Sequence, residues 1–203
     1  MGGLFVFALV AGYIWVATKL FKHAAKRWTK AIIVIAAFLI PMADAIYGRI
    51  KLKQMCEAEG GMHIYRVVEG VEGFDNSVMT PHEEWIKKYG YYFVEGEEVG
   101  GKRSRISLQP DGKIRREVGI APIAKYVYEV KKGDVRDTFI RIESRVRARD
   151  SGDVLSRDVQ ISYAGGWLER LVSGVYATRG NAGRCGPDIL MPELVTKTLK
   201  PTK

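Results

Sequence analysis

The chain has 203 residues, with 32 Lys and Arg against 23 Asp and Glu, and a formal net charge of +9. That length accommodates a short N-terminal segment and one domain of ordinary size, and excludes two further full domains. The first 48 residues hold Lys19, Lys22, Lys26, Arg27 and Lys30 as their only Lys or Arg and Asp44 as their only acid, so the remainder, at about +5, is basic but well mixed in sign.

From Gly2 to Thr18 the sequence runs 17 residues without a charge, and from Ala31 to Gly48 it runs 18 with Asp44 alone. As helices these stretches rise roughly 25 to 27 Å, the short end of a bilayer span. They predict a transmembrane helical hairpin over 1–48, with spans at about 2–18 and 31–48. Tyr13, Trp15, Trp28 and Tyr47 stand near the expected interfaces. A cleaved signal peptide is the alternative for the first stretch, but a basic leader is missing and KLFKHAAKR stands where a small-residue cleavage site belongs. The connector 19–30 carries five basic residues and no acid, against three, Arg49, Lys51 and Lys53, after the second stretch. The asymmetry places the connector in the cytoplasm, and both termini and the main domain outside the cytoplasmic (inner) membrane. Membrane lipid is then the first expected partner. Asp44, one turn after Pro41, is a candidate contact for a partner helix within the membrane, or a head-group contact near the outer end.

Cys56 and Cys185 are the two cysteines of the chain, both beyond the second apolar stretch. A compartment that oxidises thiols would join them. The closed loop of roughly 130 residues would contribute on the order of 4 to 5 kcal/mol in the chain-entropy model. The segment Cys56 to Tyr65, CEAEGGMHIY, sets a cysteine ahead of an acidic residue, a glycine pair and a strand ending in Tyr. It resembles the stretch just after the anchor in a loose set of uncharacterised small bacterial membrane proteins, in which a later cysteine corresponds to Cys185. The resemblance implies a bacterial envelope location and no catalytic activity.

Beyond residue 49 the apolar period becomes two, with Gly, Asp and Pro breaks, which predicts a mainly antiparallel β domain over 49–186. Strands are expected at Met62 to Val68, Gly90 to Glu95 and Ala124 to Lys131. Thr80, Pro81 and Glu83 form a capping-box pattern that opens one short helix to about Tyr89. Pro110, Asp111 and Gly112 turn a hairpin between Ser104–Gln109 and Ile114–Val118. The clearest unit is TFIRIESRVRAR, Thr138 to Arg149, with Ile140, Ile142, Val146 and Ala148 on one face and Arg141, Glu143, Arg145 and Arg147 on the other. It turns through Asp150 to Asp153 and returns over Val154 to Tyr163. Pairing Arg149 with Val154 sets Ile142 against Ile161 and Arg145 against Asp158. Trp167 to Val172 fits helix or strand, and 187–203, with Pro187, Pro192 and Pro201, reads as an extended tail. The fold class expected is thus a membrane-anchored α+β protein.

No motif of established chemistry is complete. His82-Glu83 starts like a zinc-protease helix, but Ile86 stands where the second histidine is required, and His63 lies in an alternating strand. No phosphate loop, Cys-x-x-Cys or Gly-x-Ser-x-Gly occurs, and no cofactor or metal is expected. Arg141, Arg145, Arg147 and Arg149 form a candidate contact for anionic surfaces, weighed against a solvated face of cross-strand ion pairs; nucleic acid is not an expected partner. The function expected is a binding or accessory protein that engages another envelope or membrane protein. An enzyme working through Glu83, Glu84, Asp75 or Asp134, and a phage- or plasmid-encoded exclusion factor, are the alternatives.

Overall fold

The computed structural model describes residues 2–133, 138–167, 169–170, 183–185 and 191–202. The chain separates into two compact units: Met1–Gln54 with Asp137–Phe139 and Ser162–Arg184, and Met55–Arg136 with Ile140–Ile161 and Cys185–Lys203.

In the first unit the apolar stretches are helical, as α1 (Gly2–His23) and α2 (Arg27–Leu39), followed by a 3₁₀ turn at Ile40–Met42 and by α3 (Ala43–Glu59), which continues past the unit boundary. Among the described residues no helix is long and apolar enough to cross a membrane. This corrects the expected transmembrane hairpin, and with it the inner-membrane location with both termini outside. The physical reason is the length of helix left free of charge, because Lys19 and Lys22 occupy the end of α1. The uncharged part of α1 rises about 25 Å against a hydrocarbon core of about 30 Å. The second stretch is not one apolar helix: α2 has 13 residues and ends before Pro41, which has no N–H to donate, and α3 then carries Arg49, Lys51, Lys53 and two glutamates.

The strands are β1 (Gly61–Ile64), β2 (Val68–Val71), β3 (Gly73–Asn76), β4 (Phe93–Glu97), β5 (Arg103–Leu108), β6 (Ile114–Val118), β7 (Tyr126–Lys132), β8 (Phe139–Ala148), β9 (Val154–Tyr163), β10 (Gly183–Arg184) and β11 (Leu199–Pro201); all but β10, Phe139 and the last two residues of β9 belong to the second unit, which is built on one large sheet. Its order is β1-β9-β8-β7-β3-β4-β5-β6, β10 joins the last residues of β9, and β11 pairs with β2 apart from it. The sheet is mixed: β1–β9, β4–β5, β5–β6 and β7–β8 pair antiparallel, as expected of most of the domain, but β3 runs parallel to both β4 and β7. A parallel neighbour needs a crossover, and the segment between β3 and β4 supplies one through the one-turn helix α4 (Glu84–Lys87). All four residues of β3 are buried, as befits a central strand covered on both faces.

Phe74, Val94, Ile106, Tyr128 and Val146 from five neighbouring strands form one apolar layer, onto which Trp85, Ile86 and Tyr91 fold from the crossover. Phe74 meets Trp85 and Tyr91 edge-on, with ring centroids 4.9 and 5.1 Å apart, the geometry that aromatic quadrupoles favour. The C-terminal segment closes this layer. Residues 191–202 form a helix, α5 (Met191–Thr198), and β11, and bury Leu194, Val195 and Leu199. Tyr91 Oη donates to the Leu199 carbonyl (2.6 Å), and Thr198 Oγ1 donates to Ser156 Oγ (2.7 Å). This part of 187–203 is therefore core, not an extended tail. Its prolines misled because α5 accommodates Pro192 in its first turn, where an N–H is not needed.

Local expectations fare unevenly. The β5–β6 hairpin forms as read, with Gly112 at φ 78° supplying the left-handed turn residue. The capping box does not form. Thr80 Oγ1 instead donates to the Glu97 carbonyl (3.2 Å), and α4 opens without a side-chain cap. The β8–β9 turn closes with the Ala148 N–H on the Asp153 carbonyl (2.9 Å) and the Gly152 N–H on the Ala148 carbonyl (3.1 Å). Arg149 consequently lies in the turn and not opposite Val154, and Gly152, at φ 76°, supplies the left-handed residue that ends the turn. Trp167, Glu169 and Arg170 are helical; the rest of the segment to Val172 lies outside the described residues.

Candidate functional site: the arginine-carboxylate face of the sheet

On the face opposite the aromatic layer, strand register alone lines up charges. Asp75 on β3 stands beside Glu95 on β4, Glu95 beside Arg105 on β5, and Arg105 beside Glu117 on β6. On the other flank of β3, Asp75 neighbours Val127, which neighbours Arg147 on β8, while Glu129 stands beside Arg145 and Lys131 beside Glu143. Because side chains alternate across a strand, these belong to one face.

The contacts resolve into clusters. Arg103 and Arg149 both donate to Asp75 Oδ2, Arg149 at 2.6 Å. Arg105 donates to Glu95 Oε1 through Nε (2.9 Å) and Nη2 (2.5 Å). Glu95 also accepts the backbone N–H groups of Ile123 (3.0 Å) and Ala124 (3.1 Å), so this fully buried carboxylate straps the loop before β7 onto the sheet. Arg105 and Arg149 reinforce the strap by donating to the carbonyls of Ala121 (3.0 Å) and Ala124 (2.7 Å). Along β8, Glu143 accepts from Arg141 (2.7 Å) and from Arg145, and Glu129 accepts from Arg147 (3.1 Å). Arg141 reaches Glu59 on α3 as well (3.2 Å). The hydrogen bond from Arg145, with Arg141 on the other side, holds the Glu143 carboxyl below its ordinary range even though burial opposes ionisation. Two polar atoms here lack a partner among the described residues: Asp75 Oδ1 and Arg103 Nε, both buried.

The structure thus brings Arg141, Arg145, Arg147 and Arg149 to one face, and each makes an ion pair. The cross-strand partner expected for Arg145 is corrected: it pairs with Glu143, whereas Asp158 is buried and receives Gln160 Nε2 (3.2 Å). Of the carboxylates considered for catalysis, Glu83 and Glu84 bind Lys87 and Lys88 on the outside of α4, and Asp75 is held by two arginines. Asp134 lies outside the described residues. His63 is exposed on β1, and His82 is exposed before α4.

The remaining candidates lie elsewhere. Cys56 and Cys185 are joined, with Cα atoms 5.3 Å apart, as the sequence predicts. Asp44, in the first unit, accepts the Trp167 N–H on Oδ2 (2.6 Å), and its own carbonyl accepts from Tyr163 Oη (3.1 Å), while its buried Oδ1 has no partner among the described residues. A Cβ on Gly166 would stand 2.7 Å from Asp44 Oδ1, so only glycine lets the turn approach so closely.

What sequence reasoning missed are Glu95 and Glu129, and the place of Asp75 beside the arginines of this face. Their burial beside arginines could have been suspected only from strand pairings distant in sequence. No family model, no curated protein and no solved structure matches this chain.

Proposed function

We propose that the protein is a binding or accessory module that engages a second protein through the arginine-carboxylate face of its sheet. The observation that carries this is the lattice itself. Six arginines, 103, 105, 141, 145, 147 and 149, are fixed by five carboxylates across adjacent strands and α3 while Arg141, Arg145, Arg147 and Arg149 each stay 27–33% exposed. A guanidinium already held in place loses little rotamer freedom on binding, so such a face meets a partner preorganised. Arginine is enriched at protein interfaces for its planar donors and long apolar stem. The surplus of positive charge favours a partner face rich in carboxylates and speeds its approach.

The test is affinity purification of the full chain in parallel with an Arg145→Ala/Arg147→Ala variant. Arg147→Ala opens a partly exposed pair with Glu129, and Arg145→Ala leaves the buried Glu143 with Arg141, so the melting temperature of the variant is measured first to show that it folds. The expected result is a stoichiometric protein partner with the parent and at least about tenfold less with the variant, the loss that about 1.4 kcal/mol of binding energy produces. Equal recovery by parent and variant would remove the charged face from the function.

A further inference from the structure

We infer that the free edge of β6 is a docking strand for an extended, acidic segment of a partner protein, which adds to the sheet beside Ile114–Val118. β6 ends the strand order, with β5 as its one sheet neighbour among the described residues. Which of its main-chain groups are free follows from parity. The Gln109 N–H donates to the Lys113 carbonyl and the Gly119 N–H to the Arg103 carbonyl, both at 2.8 Å. Opposed residues in an antiparallel pair alternate between bonding each other and not bonding. Arg115 and Glu117, in step with Lys113 and Gly119, therefore face β5, and Ile114, Arg116 and Val118 turn their N–H and C=O groups outward. The edge is straight for five residues, about 17 Å, enough for the alternating bonds of an added strand.

Charge chooses the occupant. Lys113, Arg115 and Arg116 stand along this edge, with side chains 84%, 67% and 48% exposed. Lys113 and Arg115 pair with Asp111 and Glu117, both at 3.6 Å, exposed pairs that an incoming carboxylate displaces at little cost, whereas Arg116 is held by Glu98 at 3.3 Å and by the Pro81 carbonyl at 3.0 Å and meets the arriving strand already in place. A second copy of the chain pairing edge to edge would bring these cations together, and like charges directly opposite are destabilising. Basic side chains on an edge are a known guard against self-pairing, and the same charges admit an acidic strand. Beside the edge, Ile86, Leu108 and Ile114 line a groove of about 560 Å³ whose rim holds Lys113 and the Lys87–Glu83 pair, room for one apolar side chain of the arriving strand.

The inference shares with the proposed function the idea of a protein partner, but places contact on a different surface, and the test separates the two. The probe is a fluorescein-labelled ten-residue peptide of alternating Thr and Glu, with its Thr-Lys counterpart as control, titrated into the full chain and followed by anisotropy and amide exchange. The Thr-Glu peptide should bind, bind less as salt is raised, and slow exchange at Ile114, Arg116 and Val118. Val118→Pro removes one outward N–H and leaves the β5 bonds intact; it should weaken binding about tenfold, the scale of one hydrogen bond. Should that variant fail to fold, Arg115→Glu/Arg116→Glu must show the same loss. No binding, equal binding of the Thr-Lys peptide, undiminished binding by these variants, unprotected edge amides, or a parent chain that self-associates through this edge would each overturn the inference. Arg145→Ala/Arg147→Ala should leave the peptide affinity unchanged, so failure at the edge and failure at the charged face are told apart.

Discussion

Asp158 and Glu143 are both buried acids of the same sheet, and their surroundings drive them in opposite directions. Burial pushes the Asp158 carboxyl up; the Gln160 hydrogen bond and His63 oppose the rise, Glu193 adds to it, and Oδ1 has no partner among the described residues. A folded value above the ordinary 3.8 means that folding is penalised as pH rises from 3.8 through the raised value, and that the full penalty is present above it. Asp158→Asn is accordingly expected to raise the melting temperature at pH 7, with a gain that shrinks toward zero as pH falls below 3.8. Calorimetry at pH 7 and pH 3 checks this, and a variant that melts lower than the parent at pH 7 would show that the charged form is needed. Glu143 behaves in the other sense: its contribution is complete above its ordinary 4.5 and is lost as pH falls through its depressed folded value. At this scale the sequence was a partial guide. The alternation along β8 put the four arginines on one face, but the partner of Arg149 is Asp75, 74 residues away, and no local pattern announces that pairing.

Elements whose signal is local were legible. The β5–β6 and β8–β9 hairpins follow from alternation bounded by Gly-containing turns, though the second turn closes on Ala148 and Asp153 and not on Arg149 and Val154. Elements that depend on distant partners were not: β3 has four residues, and its central place between β4 and β7 follows from burial on both faces, not from its own periodicity. α5 likewise owes its order to Leu194, Val195 and Leu199 entering the core. The loop at residues 119–125 is another tertiary creation, because Glu95 supplies both oxygens to hold it. Glu95→Gln should cost about 3 kcal/mol, since it leaves Arg105 and two backbone donors short of a buried charge. Amide exchange at Ile123 and Ala124 should quicken before that of the β4 and β5 strands. A uniform rise across all three would show a global loss and no specific strap.

At the scale of the whole molecule, the charge asymmetry around the N-terminal apolar stretches suggested a membrane hairpin, yet no described helix is long and apolar enough to cross one. The cysteine pair, deduced from number and position, did form, between the end of α3 and Cys185, with Cys185 N–H donating to the Ile161 carbonyl of β9 (2.9 Å). Gly60 closes in beside it, where an added Cβ would stand 2.7 Å from the Cys56 carbonyl and 3.3 Å from Cys185 Cβ. The bond spans 129 residues and ties the start of the second unit to the start of its last segment, so it removes a large share of the freedom of the unfolded chain. Cys56→Ser and Cys185→Ser should each lower stability by about 4 kcal/mol, less whatever residual structure the unfolded state keeps. The double replacement should do no more harm than either single one, because one bond is lost in every case. Denaturant titrations of the four proteins, with thiols blocked before unfolding, read this directly. Additive losses in the double variant would mean that each cysteine contributes by its own packing and that the bond contributes little.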